Sequence, residues 1–375
     1  MYGVISGYTS DYRVVFRDAR YGNKVLDMCN HLSVTRAQGE THKRRVEMFR
    51  RLSVICLLLL SLVSVSASAT EACTILTATQ DDRVFFGNNE DYSNPDTYYW
   101  VVPPGNGTYG GVFFGFDDLW PQGGVNEMGL AFDINALPEA PLNPNPELPG
   151  LYDYEGYIAL KNCATVDEAV ELLSGYDWGE AMWGQIHLAD AKGDAVVISA
   201  GPDGELSFTR KERGDGALVS TNFNLAFTPD DERTGLCCRY DEAVELLEAC
   251  GDGGLTSEFV RGVLDAVHVE GAYSNTLYSS VFDLRNGVID VYYFHQYDEA
   301  VRLVVADELA RASEPVPLRD LFSETTMERA SEEQSRYVLQ DRIGNILELS
   351  SAVAVIVCGY YLFRRVRSRQ TLSPP

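Results

Sequence analysis

From Cys73 onward the chain alternates short runs of β-branched and aromatic residues with clusters of turn formers. "CTILTATQ", "RVFFGNN", "YYWVVPP" and "GGVFFGF" are such runs, punctuated by Gln80-Asp81-Asp82 and Pro104-Gly105-Asn106-Gly107. That pattern predicts short strands joined by tight turns. "QGGVNEMGLAFDIN" reads as a hairpin turning at Glu127 to Gly129, with its second strand ending near Asn135. "NTLYSSVFDLRNGVIDVYYF" reads as another, turned by Arg-Asn-Gly. Between them, "GQIHLADAKGDAVVISAGPDGELSFTRK" and "GALVSTNFN" predict a meander.

Helical spacing interrupts the strands in three places. "DYEGYIALKNCATVDEAVELLSGY" carries an N-cap signal at Thr165 and a stop at Gly175, and "RYDEAVELLEAC" and "TSEFVRGVLDAV" follow later. The proline-rich "APLNPNPELPGLYDY" predicts an irregular surface loop. Hairpins throughout with helices between them predict an α+β fold, two antiparallel sheets sandwiched with helices on both faces.

The ends of the 375-residue chain read differently. Arg50 and Arg51, then "LSVICLLLLSLVSVSASA" with small residues at Ala67 and Ala69, have the layout of a secretory signal. Met48 stands just before it, so residues 1–47 read as an over-extended start, and 48–72 as signal peptide plus a short propeptide. Residues 73–312 form the expected domain, large enough for a sizeable core. The polar stretch 313–342 predicts a stalk. Residues 343–363 predict a transmembrane helix, and the arginines of 364–375 a basic cytoplasmic tail. The expected location is the extracellular face of the cell membrane, with a single-pass anchor.

The whole chain carries a formal charge of −25. Within 73–312 roughly forty acidic residues face about a dozen basic ones, which argues against a nucleic-acid partner because phosphate binding needs a basic face. The domain's cysteines are Cys73, Cys163, Cys237, Cys238 and Cys250, and its histidines are His187, His268 and His295. No zinc-type spacing links them, so neither a metal nor a cofactor is expected. If Cys73 stays free, the other four allow three disulfide connectivities that spacing does not separate.

Cys73 sits where processing makes it the first residue of the mature chain. A cut after Ala72 would put a thiol and a free α-amine on one residue. With a reference pKa of about 7.7–8.0, that amine is able to take the thiol proton near neutrality. Such chemistry also needs an acidic group to orient the amine and donors for a tetrahedral oxyanion. A lipid-attached or merely structural cysteine is the alternative, and Glu71 just before the cysteine argues against lipid attachment.

"CT" opening a strand, followed by "FFGNNEDY", resembles the opening of N-terminal-nucleophile (Ntn) hydrolases of the choloylglycine hydrolase and penicillin V acylase group. That group includes the acyl-coenzyme A:isopenicillin N acyltransferases. "NEMGLAFDIN" is similar to its Asn-Glu-x-Gly-Leu hairpin, and "LVSTNFN" to its strand ending in Thr-Asn. The resemblance runs in order from Cys73 to Phe294 and implies a four-layer αββα sandwich. It implies Cys73 as nucleophile, Asp91 as the holder of the α-amine, and Asn135 and Asn222 as oxyanion donors.

Two family arginines lack a secure match. Asn88 stands where one would be, and Arg261 in "TSEFVRGVLD" is the nearest candidate for the other. A missing guanidinium should leave the thiol less acidic and an anionic substrate without an anchor. The aromatic clusters "TYYW" (97–100) and "DWGEAMWG" (177–184) are candidates for an acyl pocket or for core. The expected function is therefore hydrolysis of a linear amide C–N bond in a small N-acyl substrate. The alternatives are an acyltransferase, a cysteine dipeptidase or, without processing before Cys73, a non-catalytic tethered surface protein.

Overall fold

The computed structural model describes residues 73–370 except 212, 272, 273, 312 and 313, and leaves aside some side chains beyond 340. The expected extension over 1–47 and the signal and propeptide over 48–72 lie outside the described residues.

One sheet has six strands: β1 (Thr74–Gln80), β2 (Arg83–Tyr92), β10 (Gly216–Ser220), β11 (Asn275–Asp283), β12 (Val288–Tyr293) and β13 (Val301–Val304). Their order is β10-β1-β2-β11-β12-β13. The other sheet has eight: β3 (Thr97–Val102), β4 (Gly111–Phe116), β5 (Pro121–Asn126), β6 (Ala131–Pro141), β7 (Ala181–Ala189), β8 (Ala195–Ala200), β9 (Leu206–Lys211) and β14 (Val316–Pro317). It runs β14-β3-β4-β5-β6-β7-β8-β9. Every neighbouring pair is antiparallel, as the hairpin pattern predicts.

Strand alternation sends side chains to both faces of each sheet. Ile75, Phe86, Tyr278 and Phe282 of the first sheet share a cluster with Val112, Phe114, Val125 and Val197 of the second, so the two sheets pack face to face. On the outer face of the six-stranded sheet, Leu76 and Phe85 pack against α3 (Cys238–Glu248) and α4 (Ser257–Ala266) through Ala243, Val260 and Leu264. On the outer face of the eight-stranded sheet, Phe132 and Leu188 pack against α1 (Glu155–Asn162) and α2 (Val166–Leu173) through Ile158 and Ala169. The result is helix, sheet, sheet, helix.

The helical stretch read as one unit around Thr165 is two helices. Thr165 caps α2, its side chain accepting from the Glu168 N–H at 3.3 Å. The break before it is pinned by Asn126, whose Nδ2 donates to the carbonyls of Leu160 and Cys163 at 2.8 and 2.7 Å. The same side chain's oxygen accepts from the Met128 and Leu130 amides, both at 3.0 Å, which closes the turn of the Asn-Glu-Met-Gly hairpin.

Two expectations for the C-terminal part change. The segment read as a polar stalk lies against the domain: β14 pairs with β3, and Leu318, Phe322, Ala330 and Tyr337 join the inter-sheet core. A short helix, α5 (Val305–Arg311), precedes it and α6 (Glu324–Gln370) follows. The expected transmembrane helix over 343–363 is corrected, because among the described residues no helix is long and apolar enough to cross a membrane. The uncharged run in α6, from Leu349 to Phe363, is bounded by Glu348 and Arg364. At 1.5 Å per residue it spans only about 22 Å, against a hydrocarbon core of about 30 Å. All five cysteines of the expected domain are unpaired thiols.

Candidate active site

Cys73 stands at the head of β1, buried, where the paired strands β1 and β2 reach the end of their register. Thr74 lies opposite Asn89, so the thiol comes level with Glu90 and Asp91. Its Sγ is 3.8 Å from Glu90 Oε1 and 4.0 Å from the Asp91 carbonyl oxygen.

The Cys73 backbone is held from two directions. Asn135, near the middle of β6 in the opposite sheet, donates from Nδ2 to the Cys73 carbonyl at 3.1 Å. Arg239, in the first turn of α3, donates from Nη1 to the same carbonyl at 3.1 Å and to Thr74 Oγ1 at 2.7 Å. Its Nη2 reaches Asn222 Oδ1 at 3.1 Å, and Nη1 lies 3.8 Å from Asp91 Oδ2. Asn222 in turn donates to the Ala136 carbonyl at 2.9 Å. One guanidinium thus joins Cys73, Thr74, Asp91 and Asn222, and Asn135 closes the group from the other sheet. The orientation of Asn135 is set by Gln185, which also clamps the Thr221 carbonyl at 2.7 Å.

The charge around the thiol is negative. Burial above all, then Glu90, Asp91 and Asp133, push the Cys73 thiol well above its usual range. Asp91 is fully buried; desolvation raises its pKa to about 7, although Arg239 and the hydroxyl of Thr276, which donates to Oδ1, act in the opposite direction. Burial and Glu90 likewise raise Asp133. A thiol in such a place stays protonated near neutrality and needs a base beside it. An ammonium would be welcome among the same carboxylates.

Sequence reading identifies Cys73, Asp91, Asn135 and Asn222, and the fold brings these four together. It does not identify Arg239, Glu90 or Asp133. Glu90 had a signal, since its place beside Asp91 in β2 sends it to the inter-sheet face. Arg239 had none, because 166 residues separate it from Cys73. Arg261 is engaged elsewhere: it pairs with Glu258 at 2.7 Å and Asp265 at 3.3 Å on its own helix. Asn88 is buried on the inter-sheet face of β2, opposite Ile75 and Ser280.

Cys73 and Asp91 border a cavity of about 670 Å³. Its walls include Tyr92, Phe116, Trp120, Tyr154, Trp178 and Trp183. Of the two aromatic clusters, 177–184 contributes to these walls, whereas Tyr99 and Trp100 are core.

His268, Glu270 and His295 form the group among the described residues whose ligand atoms come within 4.8 Å of one another. The two imidazoles stack 4.9 Å apart at 11°. Near-parallel rings send their in-plane lone pairs alongside one another, not to a shared point, which does not suit a metal ion.

No protein-family model and no curated protein sequence matches the chain. Solved structures do. Two variants of conjugated bile acid hydrolase from Clostridium perfringens each align with a TM-score of 0.50 at 16% identity. The alignments cover 65% of this chain and 95% and 96% of theirs. Penicillin V acylase from Agrobacterium tumefaciens aligns with a TM-score of 0.48 at 19% identity, over 59% of this chain and 82% of that one. The chain therefore has the fold of the choloylglycine hydrolase-like Ntn hydrolases.

Proposed function

We propose that this chain hydrolyses a linear amide C–N bond with Cys73 as its N-terminal residue. The observation that carries the reading is the double grip of Asn135 and Arg239 on the Cys73 carbonyl, beside a buried Asp91 and at the edge of a large cavity. It fixes a thiol in a cavity that has no histidine among its described lining residues.

In this reading the segment before Thr70 exports the chain and is cut away, and further processing after Ala72 frees the α-amine of Cys73. The amine takes the thiol proton and Sγ attacks the amide carbonyl carbon. The ammonium so formed rests against Asp91. Each of Asn135 and Asn222 has a second N–H on Nδ2 besides the one already donated, and these serve the oxyanion. As the C–N bond breaks, the proton passes to the leaving amine and an acyl thioester remains. Water then attacks the thioester, releasing a carboxylic acid and restoring the thiol. The likeness to conjugated bile acid hydrolase supports cleavage of an acyl conjugate as the reaction class.

Intact-mass analysis of the processed protein is the test. A chain beginning at Cys73 that cleaves N-acyl amides, with loss of cleavage in Cys73→Ala, is the expected result. A mature chain that begins at Thr70, or cleavage that survives Cys73→Ala, overturns it.

A further inference from the structure

The cavity beside Cys73 has an unusual lining. Glu90, Asp91, Asp117, Asp118 and Glu155 contribute carboxylates, and among the described residues that line it there is no lysine, arginine or histidine. Three of these acids, Asp117, Asp118 and Glu155, gather with Trp120 and Tyr154 on one wall. Asp117 and Asp118 belong to the β4–β5 turn, and Glu155 opens α1. None of the three has an ion-pair partner among the described residues.

Asp117, Asp118 and Trp120 are exposed at the mouth of the cavity, and Tyr154 and Glu155 are half-buried. Asp118 Oδ1 accepts from the Trp120 amide at 3.0 Å, and Asn94 donates to Asp117 Oδ1 at 3.2 Å. Leu119 between them adopts a left-handed backbone with φ of 57°, which turns Trp120 back toward the cavity. Trp120 meets Tyr154 edge-to-face, with ring centroids 4.1 Å apart.

We infer that this wall receives a positive charge, so that the substrate is an N-acyl amide carrying an ammonium or quaternary ammonium group away from the scissile bond. Aromatic faces attract a cation through their quadrupole, and unpaired carboxylates beside them add direct attraction. An anionic substrate would meet five acidic side chains, with the Arg239 guanidinium, 3.8 Å from Asp91, set behind the lining. The inference rests on the amidase reading for the words "N-acyl amide"; the preference for a cation stands on the wall itself.

The probes are the octanoyl amides of cadaverine, hexylamine and aminocaproate, which have cationic, neutral and anionic ends on similar skeletons. Three of the chain's four tryptophans, Trp120, Trp178 and Trp183, line the cavity, so intrinsic fluorescence reports binding without turnover. In the Cys73→Ala chain the cadaverine amide should bind about tenfold more tightly than the hexylamine amide, with the aminocaproate amide weakest. Raising the salt from millimolar to molar should shrink that preference, and so should the double change Asp118→Asn with Glu155→Gln.

Equal binding of the three amides, or weaker binding of the cadaverine amide, overturns the inference. If the binding order holds but wild-type protein cleaves none of them, the amidase reading fails and the cation site stands. If wild type cleaves all three through Cys73 without preference, the cation site fails and the amidase reading stands.

Discussion

Asp91 and His187 are two fully buried titratable groups whose effects on stability have opposite signs. His187 sits between the sheets, its Nε2 2.9 Å from Thr77 Oγ1 and its Nδ1 3.0 Å from Ser220 Oγ, and burial lowers its pKa to about 3. It therefore contributes stability above its unfolded value of 6.5 that is lost as pH falls toward 3. Asp91 runs the other way. Its folded pKa is raised from 3.8 to about 7, so its contribution is complete below 3.8 and is lost as pH rises through 7. Asp91→Asn cannot ionise. In a chain that keeps Thr70-Glu71-Ala72, so that no free amine neighbours the carboxyl, the variant should gain on wild type by about 3 kcal/mol between pH 4 and pH 7. Urea denaturation at a series of pH values measures the difference, and a gap that does not change with pH would count against the buried carboxyl. At this scale the sequence was informative wherever a residue lay on a strand. Alternation and order along the chain point to Cys73, Asp91 and Asn135. Arg239 lies in the first turn of a helix that only tertiary folding brings to the β1 terminus, and local pattern has no means of marking it.

Among the elements, α1 lies close against its sheet at Gly156. A Cβ on Gly156 would fall 2.1 Å from the ring of Phe132, so the helix backbone rests directly on that ring of β6. Helix propensity alone would favour alanine there by about 1 kcal/mol. The steric conflict outweighs it, because Phe132 is fully buried and has no room to turn. Gly156→Ala should therefore destabilise the protein by about 2–3 kcal/mol, seen as a lowered midpoint in urea. A neutral or stabilising result would mean the helix can lift from the sheet at little cost. Tyr154 and Glu155 of the cavity wall flank this contact, so the same variant reports how firmly the wall is mounted. Element existence was legible from period and turn chemistry. The start of α2 was legible from the cap at Thr165; what holds the break before it was not, since it depends on Asn126 reaching to the carbonyls of Leu160 and Cys163.

For the molecule as a whole, the first turns of α6 belong to the domain, and large apolar residues described in its later turns are exposed. Ala330 and Tyr337 are buried, Tyr337 donates to Glu270 at 2.8 Å, and Gln296 donates to Glu333 at 2.7 Å. Ile343, Ile346, Leu347 and Val353 are exposed. A chain ending at 342 should thus melt within about 2 °C of the full chain, whereas one ending at 323 should melt about 5–10 °C lower. Differential scanning calorimetry separates the two, and equal melting of both truncations would show that α6 adds nothing. The polar composition of 313–342 predicted a stalk because its few apolar residues are spaced too sparsely to announce a buried face. Leu318, Phe322, Ala330 and Tyr337 find that face only once the two sheets have closed.

Asn135 and Arg239 both grip Cys73 by its carbonyl. That oxygen belongs to the peptide bond with Thr74 and is untouched by any cut upstream. The anchoring, the neighbouring carboxyl and the cavity are therefore already assembled while residues still precede the cysteine. On the reading proposed above, processing changes one group, the backbone nitrogen of Cys73, and leaves the carbonyl that Asn135 and Arg239 hold as it is.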